Sequence, residues 1–248
     1  MAYIQVKVPQ EIADAVARRE LSQKELGKLV KQYYSQTLPQ NRVIGLQSAD
    51  DGALRTQEAW ITYFNELSKQ RGVPILMISA PDVYRTGQEG NSRLITSLRQ
   101  VFDKRWLVTS TRESYEPDTL NARITHNHGS DVVKPTSKNV LVPVYSDTHL
   151  DQVLQDNDGV AYLQVKLGTQ DKPDTIEKTL AELSGKRPDL IRISTPAQEG
   201  RSSYQERSAD FGFGGGRFLV VGYRAVDFVG VSRGVSVKSA KPTRKNMR

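Results

Sequence analysis

The stretch that most constrains the fold runs from residue 139 to residue 195, where strand-like segments alternate with helical patterns. Residues 140–145, 160–165 and 190–193 are rich in β-branched and apolar side chains, which is typical of buried strands. Residues 149–154 and 176–183 lie between them and show the helical pattern of apolar residues. Because parallel strands need a long return path, this alternation predicts an α/β fold with a mixed, largely parallel sheet flanked by helices.

The same reading extends to the rest of the chain and gives its predicted organisation. A helix at 58–70, a strand at 75–78, a helix that begins at Ser92 and a strand at 106–109 continue the alternation. Residues 84–91 and 196–216 are predicted as loops, and 113–138 as irregular apart from a strand at 122–125. The valine-rich residues 217–224 and 225–237 predict a C-terminal antiparallel strand pair. We therefore expect a strand-helix-helix segment (1–38), a linker (39–57), a main α/β domain (58–237) and a basic disordered tail (238–248).

The apolar positions that recur with these periods define the predicted core. Each lies on a face that its helix or strand must bury. They are Trp60, Phe64, Ile78, Leu98, Phe102, Leu107, Val142, Val144, Leu163, Val165, Leu180, Leu183, Ile191 and Ile193.

The net charge of +7 suggests a nucleic-acid partner, but most of it lies at one end of the chain. Five cations and no acid stand in the last eleven residues, so the other 237 residues carry only +2. A basic tail can neutralise phosphates by releasing counterions, or it can be a solvated end. The candidate nucleic-acid contacts are cations on one helix, the Phe and Arg beside the glycine run at 212–216, and cations of the tail. They are Arg93, Arg99, Lys104, Arg105, Phe213, Arg217, Lys241, Arg244 and Lys245.

Residues 3–33 resemble ribbon-helix-helix repressors in layout. Tyr3, Gln5 and Lys7 alternate with apolar residues in a short strand, and two helical patterns follow it. The resemblance implies that these three side chains face bases and that a second copy of the chain completes the ribbon, which makes a homodimer an expectation. An edge strand and two packing helices of the main domain explain the same pattern.

A second resemblance points to a nuclease. Asp147, followed by Gln164-Val165-Lys166, resembles the spaced acids and lysine of PD-(D/E)xK nucleases. In that family two acids hold Mg²⁺ and the lysine positions the attacking water. The resemblance implies Asp147, Gln164 and Lys166 as catalytic residues and Asp147 as a metal ligand. Because Gln164 replaces the usual carboxylate, Asp156 or Asp158 would have to supply the second acid. An ordinary strand with an exposed lysine is the alternative.

Two of the three histidines, His126 and His128, lie in the sequence His-Asn-His-Gly-Ser. Imidazole titrates near neutral pH, so the pair could act as acid and base or bind a metal. A solvated or hydrogen-bonded pair is the other interpretation, since the sequence identifies no third ligand.

Several classes of protein are excluded or disfavoured by composition. The chain has no cysteine, which excludes disulfides, thiolate metal sites and cysteine nucleophiles. No window reaches the run of about 18 apolar residues expected of a membrane span, so we expect no membrane association and a cytoplasmic location. The sequence thus favours a nucleic-acid-associated protein that binds mainly through backbone charge, with a Mg²⁺-dependent nuclease or another hydrolytic enzyme as the alternative.

Overall fold

A computed structural model describes residues 43–48, 54–72, 74–117, 119–143, 149–185, 190–192, 204–214, 217–222 and 230–236. The predicted N-terminal segment and basic tail lie outside these residues, as does Asp147.

The described residues contain helices and strands in mixed order. The strands are β1 (Val43–Ser48), β2 (Ile75–Met77), β3 (Leu107–Tyr115), β4 (Asn121–His126), β5 (Thr136–Leu141), β6 (Leu190–Arg192), β7 (Gln205–Gly214), β8 (Arg217–Val221) and β9 (Arg233–Ser236). The helices are α1 (Gln57–Arg71), α2 (Ala80–Gln88), α3 (Ser92–Phe102), α4 (Leu150–Gln155), α5 (Asn157–Leu167) and α6 (Pro173–Ser184).

The predicted largely parallel sheet is wrong. The strands form a three-stranded sheet in the order β1-β9-β2 and a six-stranded sheet in the order β5-β4-β3-β7-β8-β6. Every pair of adjacent strands is antiparallel except β6 and β8, which run parallel. The sheets are thus built chiefly from strands that pair antiparallel, and the helices from α2 to α6 fill one side of the larger sheet.

The error arises mainly at residues 160–165, which form helix α5 and not a strand. Asp156 caps the first turn by accepting from the Asp158 amide, and Gly168 ends the helix in the left-handed conformation at φ 63°. The apolar run is buried among other helices, and a short buried run has no period that separates helix from strand. Without a strand at residues 160–165, the two strand-helix-strand units from which parallel pairing was predicted do not form.

Three other segments also differ from expectation. Residues 80–88, expected in part as a loop, form α2, which starts with a reciprocal capping box between Ser79 and Asp82. The irregular region 196–216 contains the ten-residue strand β7. The expected C-terminal strand pair does not form, because β8 pairs with β7 and β6 whereas β9 lies between β1 and β2.

Two clusters of buried apolar side chains hold these layers together. The larger cluster packs α2 to α6 against the inner face of the six-stranded sheet, and the smaller packs α1 against β2 and β3. The predicted core residues found buried are Trp60, Phe64, Ile78, Leu98, Phe102, Leu107, Val142, Leu163, Val165, Leu180 and Leu183. Among the described helices, none has both the length and the apolar character required to traverse a membrane.

Helices α2 and α6 approach so closely that a glycine is required between them. A Cβ atom built on Gly87 would lie 2.7 Å from the Leu183 side chain and 3.0 Å from the Thr179 carbonyl oxygen. We expect Gly87→Ala to lower the free energy of unfolding by about 1–3 kcal/mol, as overpacking typically does. Urea denaturation measures this. Gln100→Ala, at an exposed position of α3, is the control and should change stability by less than about 0.5 kcal/mol.

Candidate functional site

The side of the six-stranded sheet that faces away from the larger core is an exposed polar surface. Side chains alternate along a strand, so in β4 Asn121 and Arg123 are exposed whereas the residues that follow them, Ala122 and Ile124, are buried. The ladder registers extend this surface across β5, β3 and β7. We call it the outer face, and its members are Asn121, Arg123, Thr125, Ser137, Asn139, Leu141, Arg112, Ser114, Tyr204 and Glu206.

Arg112 is the best-anchored charge of the outer face. Its guanidinium donates to Gln57 Oε1 at 2.9 Å and to Glu206 Oε2 at 3.0 Å, and it also contacts Glu58 Oε1. Glu206 Oε1 accepts from the Tyr204 hydroxyl at 2.8 Å. The arginine therefore compensates one of the two negative charges, and the three side chains together keep a net charge of −1.

A tight turn at residues 127–130 places His128 beside this group. Asn127 has a left-handed backbone with φ 55°, which Asn tolerates better than most residues. Asn65 of α1 fixes the turn by donating to the Gly129 carbonyl at 2.8 Å and accepting from the Asp131 amide at 3.2 Å. His128 Nε2 lies 3.6 Å from Glu58 Oε1. Burial, followed by the Arg112 charge, lowers the pKa of His128, so its ring is neutral at pH 7.

His126 does not share a site with His128, because the strand ends between them. Its Nε2 lies 2.9 Å from the Val165 carbonyl oxygen, which can only accept a hydrogen bond. Its Nδ1 lies 3.0 Å from Thr111 Oγ1, so both ring nitrogens are occupied. His126 thus connects β4 to α5, and the structure does not bring the two predicted histidines together.

The predicted nuclease residues also lie apart. Lys166 is fully buried on α5, and Gln164, on the same helix, donates to the Asp171 carbonyl at 3.0 Å. Residues two apart on a helix point in nearly opposite directions, whereas on the expected strand they would share a face. Asp158 is exposed at the start of α5. In the described part of the chain, no group of three or more His, Cys, Asp or Glu side chains could hold a metal ion.

Lys166 instead completes a buried polar cluster with Glu113, Tyr115 and Tyr162. Its Nζ donates to Glu113 Oε1 at 2.7 Å and to the Tyr162 hydroxyl at 3.0 Å. Both tyrosine hydroxyls donate to Glu113 Oε2, at 2.9 and 2.8 Å. All four side chains are shielded from solvent. Burial, followed by the Glu113 charge, raises the pKa of Tyr162, which keeps its hydroxyl a donor.

The predicted nucleic-acid contacts on α3 and just after its end separate into one structural residue and three exposed ones. Arg99 donates to the carbonyls of Glu182 and Leu183, at 2.6 and 3.3 Å, and so caps the C-terminus of α6. Arg93, Lys104 and Arg105 are exposed.

Two of the other predicted contacts belong to β7 and β8. Phe213 packs edge-on against Phe218 at 5.5 Å between ring centroids. Arg217 begins β8, where it pairs with Gly214. Lys241, Arg244 and Lys245 lie outside the described residues.

The outer face contains residues that the sequence predictions did not include. The alternation of Asn121, Arg123 and Thr125 with apolar residues predicts which side of β4 is exposed. The partners on β5, β3 and β7 depend on long-range register, and β7 was not predicted as a strand. A local pattern could therefore identify Arg123 but not Tyr204, which reaches the same face from another part of the chain.

The buried cluster gives a test of stability. Lys166→Met should lower the free energy of unfolding by about 3–5 kcal/mol, because it leaves the Glu113 charge buried without its cation. Adding Glu113→Gln should restore much of that loss, since it removes the uncompensated charge. Urea denaturation of both variants tests this, with Lys138→Met at an exposed position as the control. If Lys166→Met alone were as stable as the wild type, the buried charge would not need its cation and the prediction would be wrong.

The lowered pKa of His128 predicts a pH dependence. Near the ordinary value of about 6.5, the unfolded chain binds more protons than the folded protein. The stability that neutral His128 contributes is complete above this pH and is lost as the pH falls below it. His128→Gln should remove this part of the decrease in the free energy of unfolding between pH 6.5 and the pKa of His128 in the folded protein. Urea denaturation at a series of pH values measures the decrease for both proteins. An NMR titration that places the His128 midpoint at or above 6.5 would refute the prediction.

Comparison of the chain with protein-family models, with curated proteins and with solved structures gives no match.

Proposed function

We propose that the protein associates with nucleic acid, chiefly through the phosphate backbone, and that the outer face is the main contact surface. The observation that supports this is the charge of the hairpin formed by β4 and β5, residues 119–143. Its cations Arg123, Lys134 and Lys138 are exposed, and none forms an ion pair with the described residues. Arg123 lies on the outer face, whereas Lys138 stands opposite the inward-facing Ile124 and projects from the other side of the edge strand β5. Its single acid, Asp131, pairs with Lys69 at 2.8 Å. The free charges of this hairpin are thus all positive.

The uncharged side chains around Arg123 suit the same partner. Across the ladder, Arg123 stands opposite Asn139 on one side and Ser114 on the other. Thr125 and Ser137 share a hydrogen bond of 2.8 Å in the next row. Amide and hydroxyl groups, together with arginine and lysine, supply most protein contacts to phosphates and sugars. The outer face therefore offers both the charge and the hydrogen-bonding groups that a nucleic-acid backbone requires.

Acidic groups near the face do not cancel this charge. Glu58 and Glu206 share the single positive charge of Arg112, so the three side chains keep a net charge of −1, which is smaller than the +3 of the exposed hairpin cations. Glu116 is an exposed carboxylate at the end of β3, beyond the row of Arg123, and it disfavours phosphates there. The attractive region is consequently centred on the hairpin.

Other cations would add to the binding in this proposal. Arg93 on α3, Lys104 and Arg105 just after it, and the tail residues Lys241, Arg244 and Lys245 would attract neighbouring phosphates at long range. Arg99 is less suited, because its guanidinium caps α6. A cytoplasmic location and a homodimer stay predictions.

Salt dependence tests the proposal. Log K for a duplex should fall linearly with log salt concentration, with a slope of about 0.9 per neutralised phosphate. Arg123→Ala should reduce the slope by about one such unit, and the triple change of Arg123, Lys134 and Lys138 to Ala should reduce it by about two to three. Fluorescence anisotropy with a labelled oligonucleotide measures both.

The matched control is Lys178→Ala, which removes an exposed cation from α6, on the helical side of the molecule. This variant should keep the wild-type slope. Absence of salt-sensitive binding at low ionic strength would refute the proposed function, and an equal effect of Arg123→Ala and Lys178→Ala would refute the role of the outer face.

A further inference from the structure

One end of the outer face presents an aromatic ring and apolar side chains to solvent. Within the described residues, the large hydrophobic side chains that are exposed are Leu54, Leu120, Leu141 and Tyr204. Leu141 stands opposite Asn121 in the ladder, and Leu120 precedes Asn121 in the chain. Tyr204 precedes Gln205, the first residue of β7, which is in register with Tyr115 of β3. Tyr115 is in turn in register with Ala122, near the start of β4. Three of these four exposed residues thus lie at the same end of β5, β4 and β7.

The ring of Tyr204 is held in place although half of its surface is exposed. Its exposed fraction is 50%, and its hydroxyl donates to Glu206 Oε1 at 2.8 Å. Glu206 is fixed in turn by Arg112, which is itself buried. A ring anchored at its hydroxyl loses little conformational freedom when a ligand stacks on it.

The charges divide this surface into two regions. Arg123 lies in the row next to the exposed hydrophobic end, where it offers a cation to phosphate. Among the described residues, the charged side chain at this end is the Glu116 carboxylate, which disfavours a phosphate there but not an uncharged base. Rows of side chains on one face of a strand are about 7 Å apart, and Arg123 and Tyr204 also stand two strands apart, which adds about 10 Å across the sheet. Their backbones are therefore about 12 Å apart, and the two long side chains shorten the distance between a stacked base and a bound phosphate.

We infer that the outer face takes single-stranded nucleic acid, with one unpaired base stacked on Tyr204 and the adjoining phosphate at Arg123. This inference rests on the proposed function. A duplex hides the faces of its bases inside the helix, so it could use Arg123 but not the aromatic ring. Stacking of a base on an aromatic side chain tolerates any sequence, because every base has a flat π-face.

The experiment compares four labelled ligands of equal length: single-stranded DNA, single-stranded RNA, a duplex, and an abasic single strand that keeps the phosphates without bases. The full-length protein is measured beside Tyr204→Ala, Tyr204→Phe and Arg123→Ala by fluorescence anisotropy at a low and a high salt concentration. The phenylalanine variant keeps the ring and loses the hydroxyl. Thermal unfolding of each variant confirms that the fold is intact, and the arm with the tighter binding identifies DNA or RNA as the source of the strand.

The inference requires tighter binding of a normal single strand than of the abasic strand and the duplex. Tyr204→Ala should weaken binding of the normal strand by roughly 5- to 150-fold, which is the usual range for loss of one stacked base, and should leave the abasic strand unchanged. Tyr204→Phe should retain most of the affinity.

Equal binding of normal and abasic strands, or no effect of Tyr204→Ala on the normal strand, would overturn the inference. The proposed function would survive that result if Arg123→Ala still weakened salt-sensitive binding. No salt-sensitive binding of any ligand would overturn both.

Discussion

The ion pair between Glu113 and Lys166 is the interaction on which the arrangement of the larger sheet and its helices depends. It joins β3, a central strand, to α5, and neither side chain is exposed to solvent. Removing two charges from water costs several kcal/mol per ion, at about the level that a well-hydrogen-bonded pair repays. The two tyrosine hydroxyls supply the additional hydrogen bonds to Glu113. The cluster therefore fixes where α5 packs, because any shift would leave a buried charge without its partner.

The neighbouring residue on β3 has the opposite role, because side chains alternate along a strand. Arg112 points to the outer face, where it pairs with Glu58 and Glu206. It also connects the sheet to the first turn of α1 through Gln57, whose amide donates to the Thr109 and Thr111 carbonyls where the ladder with β7 is irregular. Two adjacent residues of one strand thus position the helices on the inner face and leave an ordered polar surface on the other.

How much the sequence could predict depended on whether the signal was local. The period of two at residues 121–125 identifies β4 and its exposed side, and the helical period identifies α1, α3 and α6. At residues 160–165 the apolar run has no period that separates strand from helix, so Lys166 was expected at the end of a strand although it lies within α5. The position of Tyr204 beside the β4–β5 hairpin depends on the pairing of β3 with residues about 90 positions away, and no local pattern contains that register.

The charge of the whole chain is a poor guide to where nucleic acid would bind, because it counts paired and unpaired groups alike. Outside the last eleven residues the net charge is only +2. In the structure, however, Asp131 is compensated by Lys69, and Arg112 compensates one of the two charges of Glu58 and Glu206, which leaves Arg123, Lys134 and Lys138 as the free charges of their hairpin. A phosphate responds to the local field of uncompensated groups, since charges beyond about 8–10 Å are screened at physiological salt. The spatial pairing of acids, which composition does not contain, therefore decides which face attracts a phosphate backbone.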